Sequence, residues 1–264
     1  MKCLSLPQPR PLSLPLRRPL SLPLRRPLSL SLLLLGPLLA ACAATPATKP
    51  DPADPWEGYN RAMYGFNRAL DKAVLRPVAR GYDWITPEPV QRGVGNVFTN
   101  LHYPVVVLNL ALQGRPADSG IALGRFAVNS TFGVVGIFDV ATRWDIPAYA
   151  EDFGQTLAVW GWRDSRYLML PLLGPSTLRD GPARGVDWMT DVAAAWVRDE
   201  VGYGPAVVQV IDTRAGLLDR EADLEEAYDE YLFVRDAWLQ HRHFLIDNGQ
   251  SETPDYEEFL EDGE

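Results

Sequence analysis

Cysteine is scarce in this chain of 264 residues, which contains only Cys3 and Cys42. A disulfide between them would join two segments whose composition suits no folded structure. Disulfide bonds therefore do not organise the fold, and any role of either cysteine has to be sought in other chemistry.

The residue patterns of catalysis and metal binding are also missing. The chain has three histidines, and His241 and His243 are too close in sequence for the i, i+4 spacing of a helical zinc site, so the run His241-Arg242-His243 is interpreted as an exposed helix face. No serine lies in the G-x-S-x-G turn of esterases, and no glycine-rich phosphate-binding motif occurs. The acidic pairs Glu151-Asp152 and Glu225-Glu226 are adjacent in sequence, which favours helix-terminal or solvated charges. We predict that the protein is not an enzyme and needs no cofactor or metal.

Positive charge is concentrated at the start of the chain. Six Lys and Arg residues are the only charges before Cys42, so removal of that stretch would change the net charge from −9 to −15. Such an acidic domain is an unsuitable partner for nucleic acid. Eight carboxylates with no Lys or Arg follow His243, which predicts an acidic, disordered tail over residues 249–264.

No apolar run is long enough to be a transmembrane helix. The run from Leu28 to Ala41 follows a basic, proline-rich repeat and ends in small residues, as a signal peptide does. Its ending, Leu39-Ala40-Ala41-Cys42, looks like the lipobox of bacterial lipoproteins, in which the cysteine thiol is acylated and becomes the first residue. We predict a signal peptide over 1–41 and a lipid anchor at Cys42; the alternative is a chance cysteine.

The rest of the chain divides into a tether and one folded domain. Residues 42–55 are rich in proline and lack bulky apolar side chains, which is typical of a stiff, exposed linker. An apolar content of 47% is enough for one substantial core, which we place in residues 56–248. The residue after the predicted anchor is Ala43, and the absence of Asp there favours sorting to the outer membrane.

Helical spacing dominates this domain and continues over residues 193–201, 207–218 and 224–245, so we predict a mostly α, single domain of helices punctuated by proline. An apolar stripe marks a first helix that we expect to end at Arg76-Pro77, with Arg61, Arg68 and Asp71 on the opposite face. The segment Val105-Val106-Val107 could by propensity be a strand. The stripe consists of Trp56, Tyr59, Met63, Phe66 and Leu70.

Two segments, 93–114 and 126–138, carry no charged residue although the domain is acidic. Neither suits a spanning helix, because Pro104 interrupts the first and the second is too short. A buried core helix is the ordinary explanation, and contact with acyl chains and headgroups is the alternative. Our candidate lipid or membrane contacts in these segments and the first helix are Trp56, Tyr59, Met63, Phe66, Asn67, Val106 and Val135.

Long stretches of the domain resemble the MlaA/VacJ family. The similar segments include DPWEGYNRAMYGFNRALD (54–71), LQGRPADSGIALGRFAVNSTFGVVGIFDVA (112–141), EDFGQTLAVWG (151–161) and LPLLGPSTLRD (170–180). With the run from 76 to 101 and the C-terminal helix pattern, about 190 residues follow the family in order. The resemblance implies a ring of helices with a central amphipathic channel, lying in the periplasmic leaflet of the outer membrane.

The resemblance also implies a function in lipid transport. Phospholipid mislocalised to the outer leaflet would enter the channel and pass to a soluble periplasmic carrier, which maintains outer-membrane lipid asymmetry. The implied partners are a trimeric porin and that periplasmic lipid-carrier protein, with glycerophospholipid as the transported ligand. The alternatives are a lipoprotein that only braces the envelope or a porin, and a lipid-anchored phospholipase.

Overall fold

The computed structural model describes residues 51–198 and 202–248, which all fall within one compact unit. The predicted signal peptide, the predicted anchor at Cys42 and the predicted acidic tail lie outside the described residues. Helices predominate in the described part, which confirms the expectation of a mostly α domain. Their bounds are α1 Glu57–Leu70, α2 Arg76–Ile85, α3 Glu88–Leu112, α4 Pro116–Thr131, α5 Val140–Arg143, α6 Phe153–Val159, α7 Asp180–Thr190, α8 Val192–Arg198, α9 Gly204–Ala215, α10 Glu221–Glu225 and α11 Glu230–Ile246.

The first helix does not end at Arg76-Pro77, and that expectation was wrong. A single π-helical segment, Asp71–Leu75, joins α1 to α2, so the backbone stays helical from 57 to 85. Within it the Arg76 amide donates to the Asp71 carbonyl, one residue further back than in an α-helix. Pro77 follows this wider π turn directly, and the local change in hydrogen bonding accommodates its ring and its missing N–H.

Helix α3 likewise continues through a proline. It is 25 residues long with Pro104 inside it, so residues 105–107 are helical and the strand alternative is wrong. One face is buried, and it carries apolar residues together with the amides Asn100 and Asn109. Packing against α4 through Tyr103, Val106, Leu110 and Ala122 forms one of two core clusters, and this packing outweighs the local cost of the proline.

A β-hairpin, not anticipated from the sequence, is pinned to α1 by two asparagines. Strands β1 (Tyr167–Leu170) and β2 (Gly174–Thr177) are antiparallel. Asn60 is buried and accepts a hydrogen bond from the Met169 amide at 2.8 Å. Asn67 donates to the Leu170 carbonyl at 2.9 Å and accepts from the Leu172 amide at 2.8 Å. Residues seven positions apart lie on one face of a helix, so the side-chain amides of Asn60 and Asn67 both face the hairpin.

The second uncharged segment, 126–138, begins in helix α4 and continues into a compact apolar turn. Residues 132–138 follow the end of α4, and Val134 and Val135 adopt positive φ angles of 53° and 59°. Gly136 is required there, because a Cβ at this position would overlap the Asn100 side chain. The buried Arg125 fixes the end of the turn, donating to the Asp139 carboxylate and to the Ile146 carbonyl, both at 2.6 Å.

The helices are arranged around a central cavity rather than over a single solid core. Residues of α3, α7, α8, α9 and α11 line it, together with the N-cap residue of α6. In the described ranges 51–198 and 202–248, none of the helices has the combined length and hydropathy of a membrane-crossing segment.

Candidate functional site

The central cavity is the candidate site, with a volume of about 780 Å³. A volume of this order suits a small molecule or part of a larger amphiphile. Its wall combines apolar and ionisable side chains. The apolar side chains include those of Leu173, Ala183, Ala193, Ala194, Val210 and Trp238, and the charged or titratable ones are those of His102, Asp152, Asp180, Arg184, Asp187, Asp191 and Arg242.

A second cavity of about 410 Å³ adjoins the first. The two share His102, Asp152 and Gln209 as lining residues, so these side chains form a common wall. The second cavity is lined by Val106, Phe98 and Tyr103 of α3 and by Tyr149. Both cavities therefore lie between the helices and combine apolar with ionisable lining residues.

A buried ion-pair network forms one wall of the central cavity. Arg242 donates to Asp152 at 2.7 Å and to Asp180 at 2.8 Å. The neighbouring Arg179, almost fully buried, donates to Asp180 at 2.9 Å. Although burial alone would raise the pKa of Asp152 and of Asp180, the arginines hold both pKa values below the usual range. Both carboxylates therefore stay charged, and α6, α7 and α11 are tied together.

Close packing around this network requires a glycine at position 154. A Cβ on Gly154 would overlap the Asp180 carboxylate and the Arg242 guanidinium. Asp152 also caps α6, since its side chain accepts a hydrogen bond from the Gln155 amide at 2.9 Å. The sequence EDFG thus supplies a helix cap, an ion-pair partner and the space for that pair.

A second ion pair joins α3 to the residue between α7 and α8. His102 Nδ1 lies 2.7 Å from the carboxylate of Asp191. Burial would lower the pKa of His102, but the hydrogen bond to Asp191 raises it above the ordinary value. His102 lines both cavities, so its raised pKa favours a positive charge at their common wall.

Two further charged residues of α7 line the central cavity. Arg184 donates to the Leu173 carbonyl at 3.1 Å and to the Pro175 carbonyl at 2.6 Å. Asp187 accepts from the Phe153 amide at 3.0 Å and from the Asn109 side chain at 3.1 Å. Burial raises the pKa of the Asp187 carboxyl and lowers that of the Arg184 guanidinium.

The residues predicted on α1 are divided between the core and the surface. Trp56 and Phe66 are exposed, with 40% and 50% of their surface accessible. Met63 packs against the second core cluster, which contains Tyr167, Met169 and Tyr231, and Tyr59 is half-buried. The opposite, polar face is turned inward, where Arg68 pairs with Glu230 of α11 at 3.1 Å. The helix therefore exposes part of its aromatic stripe and packs much of its polar face.

The two valines predicted in the uncharged segments have opposite environments. Val106 is 3% exposed, belongs to the core cluster between α3 and α4 and lines the second cavity. It lies inside the protein, so direct contact with a surrounding membrane is not available to it. Val135 is 56% exposed in the turn after α4. Its exposed apolar neighbours are Phe132, Val134, Ile137, Phe138 and Trp144.

Sequence reasoning missed most residues of the central cavity. Arg242 lies between two exposed histidines, and this run was interpreted as a solvated helix face, whereas Arg242 itself is buried. Asp152 was interpreted as a helix-terminal charge, which is correct for its capping role but omits its pairing with Arg242. No group of three or more His, Cys, Asp or Glu residues in 51–198 and 202–248 is placed to hold a metal ion.

Comparison with known proteins gives a consistent set of relatives. The family model described as MlaA lipoprotein matches residues 52–245. A protein of Escherichia coli (strain K12) named "Intermembrane phospholipid transport system lipoprotein MlaA" is 35% identical over 225 residues, covering 83% of this chain and 89% of that protein. A protein of the same name from Haemophilus influenzae is 31% identical over 233 residues, with 83% and 90% covered.

A solved structure shares the fold. It is reported under the words "Structural basis for maintenance of bacterial outer membrane lipid asymmetry" and superposes with a TM-score of 0.65 at 34% sequence identity. The match covers 73% of this chain and 98% of that one. This likeness confirms the helical single-domain architecture implied by the sequence resemblance.

Proposed function

The chain belongs to the MlaA lipoprotein family, and on that premise we propose that it is an outer-membrane lipoprotein that transports phospholipid through a passage between its helices. In this proposal, phospholipid mislocalised to the outer leaflet enters the passage and leaves to a periplasmic lipid carrier. Transport then maintains the lipid asymmetry of the membrane. The protein performs no bond-making chemistry on the lipid and uses no cofactor.

The amphipathic central cavity is the observation that carries this proposal. Moving a charged headgroup through hydrocarbon is costly, because its polar atoms lose their hydrogen-bond partners. A cavity with arginines and carboxylates beside leucine, alanine and tryptophan side chains gives the headgroup polar partners and the acyl chains an apolar surface. Such a passage lowers the barrier without an energy source, so direction has to come from the protein that receives the lipid.

The exposed apolar surface supports a position in the membrane interface. The turn after α4 presents Phe132, Val134, Val135, Ile137 and Phe138, and the ring of Phe132 contacts that of Trp144 at 5.3 Å between centroids. Aromatic side chains of this kind are favoured at the level of lipid headgroups. Trp56 and Phe66 of α1 are exposed in the same way. We assign these residues to membrane contact.

Anchoring by lipid completes the proposal. Acylation of Cys42 would hold the protein on the periplasmic leaflet, and the residues after it would act as a tether up to the domain, in which Asp54 is already buried. A Cys42→Ala variant is expected to be neither acylated nor normally processed, and intact-mass measurement of the mature protein checks this. An unmodified N-terminus at another position in the wild-type protein would overturn the assignment of Cys42. A trimeric porin is the proposed neighbour in the membrane.

Phospholipid that copurifies with the protein after detergent extraction, identified by mass spectrometry, tests the proposed function. A conduit should retain glycerophospholipid, whereas a lipoprotein that only braces the envelope or a porin should retain none above a control lipoprotein. Incubation with radiolabelled phospholipid tests the third possibility. Release of fatty acid or lysolipid would show a phospholipase and contradict transport without chemistry.

A further inference from the structure

Two opposite charges in the central cavity lack ion partners. His102 pairs with Asp191, and Arg242 pairs with Asp152 and Asp180. The remaining charged residues of the wall are Arg184 and Asp187. In the described part of the chain, neither has an oppositely charged group within the 4.0 Å that defines an ion pair. The cavity therefore holds one cation and one anion that are available to a ligand.

These two residues lie on the same face of α7. They are three positions apart, which corresponds to about 4.5 Å along a helix axis. An arginine and an aspartate at this spacing commonly pair with each other. Here the hairpin carbonyls of Leu173 and Pro175 hold Arg184, while the Phe153 amide and the Asn109 side chain hold Asp187. The charges are thus kept apart while both face the cavity.

Each group retains hydrogen-bonding capacity. A guanidinium has five N–H donors, and the two hydrogen bonds of Arg184 to carbonyls leave the others for an anion. A carboxylate can accept about four hydrogen bonds, and Asp187 uses its oxygens for only two donor groups. The raised pKa of Asp187 reflects burial, which outweighs the hydrogen bonds from Phe153 and Asn109 and the influence of His102, and a bound ammonium group would lower it.

We propose that Arg184 and Asp187 form a recognition site for a zwitterionic phospholipid headgroup, with Arg184 binding the phosphodiester and Asp187 binding the ammonium group of phosphatidylethanolamine. This inference rests on the proposed transport function and adds a headgroup preference to it. Phosphodiester and ammonium are separated by two carbon atoms in ethanolamine, so one headgroup carries both charges close together and can meet two side chains on one face of α7. Phosphatidylglycerol has the phosphodiester but hydroxyl groups in place of the ammonium, so it meets the negative charge of Asp187 without compensation.

The test measures binding of two defined lipids to the delipidated full chain in detergent. Dioctanoyl phosphatidylethanolamine and dioctanoyl phosphatidylglycerol are titrated by calorimetry, and the wild type is expected to prefer the former. Arg184→Gln should weaken both lipids about tenfold, the loss expected for one charge-assisted hydrogen-bond partner, and Arg184→Lys should restore most of the affinity. Asp187→Asn should weaken only phosphatidylethanolamine and so reverse the preference. The exposed residues Arg166 and Asp164, changed to Gln and Asn, are the matched controls.

One measurement does not depend on any variant. N-acetylation of dioctanoyl phosphatidylethanolamine removes the positive charge and keeps the phosphodiester, so the wild type should bind it about tenfold more weakly. Equal affinity for the two forms, or an Arg184→Gln protein with wild-type affinity, would overturn the headgroup site. If the wild type binds all these lipids equally, transport stands without selection; if it binds none, the proposed function fails as well.

Discussion

Gly154 packs directly against the buried ion pairs that form one wall of the central cavity. Gly154→Ala should lower the free energy of unfolding by about 2–4 kcal/mol, because the new methyl group displaces the Arg242 pairing and leaves buried charges poorly partnered. Gly65→Ala is the control, since nothing lies within 4 Å of its missing Cβ and alanine is the better helix former. Urea unfolding of both variants measures the difference. A Gly154→Ala protein as stable as the wild type would contradict the described packing.

The charge of Asp152 should be visible in the pH dependence of stability. Its folded-state pKa is depressed, so its contribution is present above the unfolded pKa of about 4 and is lost as pH falls through the folded value. Asp152→Asn keeps the helix cap and removes the charge. We expect the variant to be about 1–3 kcal/mol less stable at pH 7, with the difference shrinking toward pH 3. Denaturant unfolding across this pH range checks both the size and the sign.

The pairing of Asp152 with Arg242 is a part of the candidate site that could not be predicted from the sequence. Asp152, in the pair Glu151-Asp152, and Arg242, which lies between two histidines, are about 90 positions apart. No local sequence pattern indicates that Asp152 and Arg242 form an ion pair. Pairing depends on the tertiary arrangement of α6 and α11. A composition-based interpretation of charged residues as solvated is correct for His241 and His243 and fails for the arginine between them.

At the scale of elements, the contact between α1 and the β-hairpin depends on two amides. Asn60→Ala should lower the free energy of unfolding more than Asn67→Ala, by about 2–4 against about 1–2 kcal/mol, because Asn60 is buried and its loss leaves the Met169 amide and the Oδ1 atom of Asp54 without a partner. The exposed neighbour Phe66, changed to Ala, serves as the control in detergent. Hydrogen exchange at Met169 and Leu172 should accelerate in the respective variants. Unchanged protection at both amides would show that the hairpin is held by other contacts.

Helical periodicity predicted which elements exist better than where they end. The apolar spacing identified α1, α9 and α11, but the prolines at 77 and 104 were given too much weight. One is accommodated after a π turn, and the other is tolerated in a helix whose neighbours supply extensive packing. The hairpin was missed because its strands are four residues each and lack the alternation that marks a strand.

For the whole molecule, the two uncharged segments differ in environment, since Val106 of the first is buried and Val135 of the second is exposed. Val106→Asp places a charge in the core and should unfold the protein, lowering its abundance. Val135→Asp adds a charge to an exposed turn, so the protein should remain folded in detergent but lose lipid transport, since the turn would then be repelled by the membrane interior. Protein level measured together with outer-leaflet phospholipid checks both. Wild-type transport by the Val135→Asp variant would contradict the proposed contact between this turn and the membrane.

The left-handed backbone at Val134 and Val135 carries an energetic cost that the exposed side chains do not offset in water. Branched side chains cost about 1–2 kcal/mol each in that conformation, and both valines also expose apolar surface. In water, glycine or asparagine would be the better residue at both positions. The proposed membrane contact would remove this apolar surface from water, and that transfer would offset the backbone cost. The proposal therefore predicts glycine at these positions in relatives whose turn does not meet a membrane.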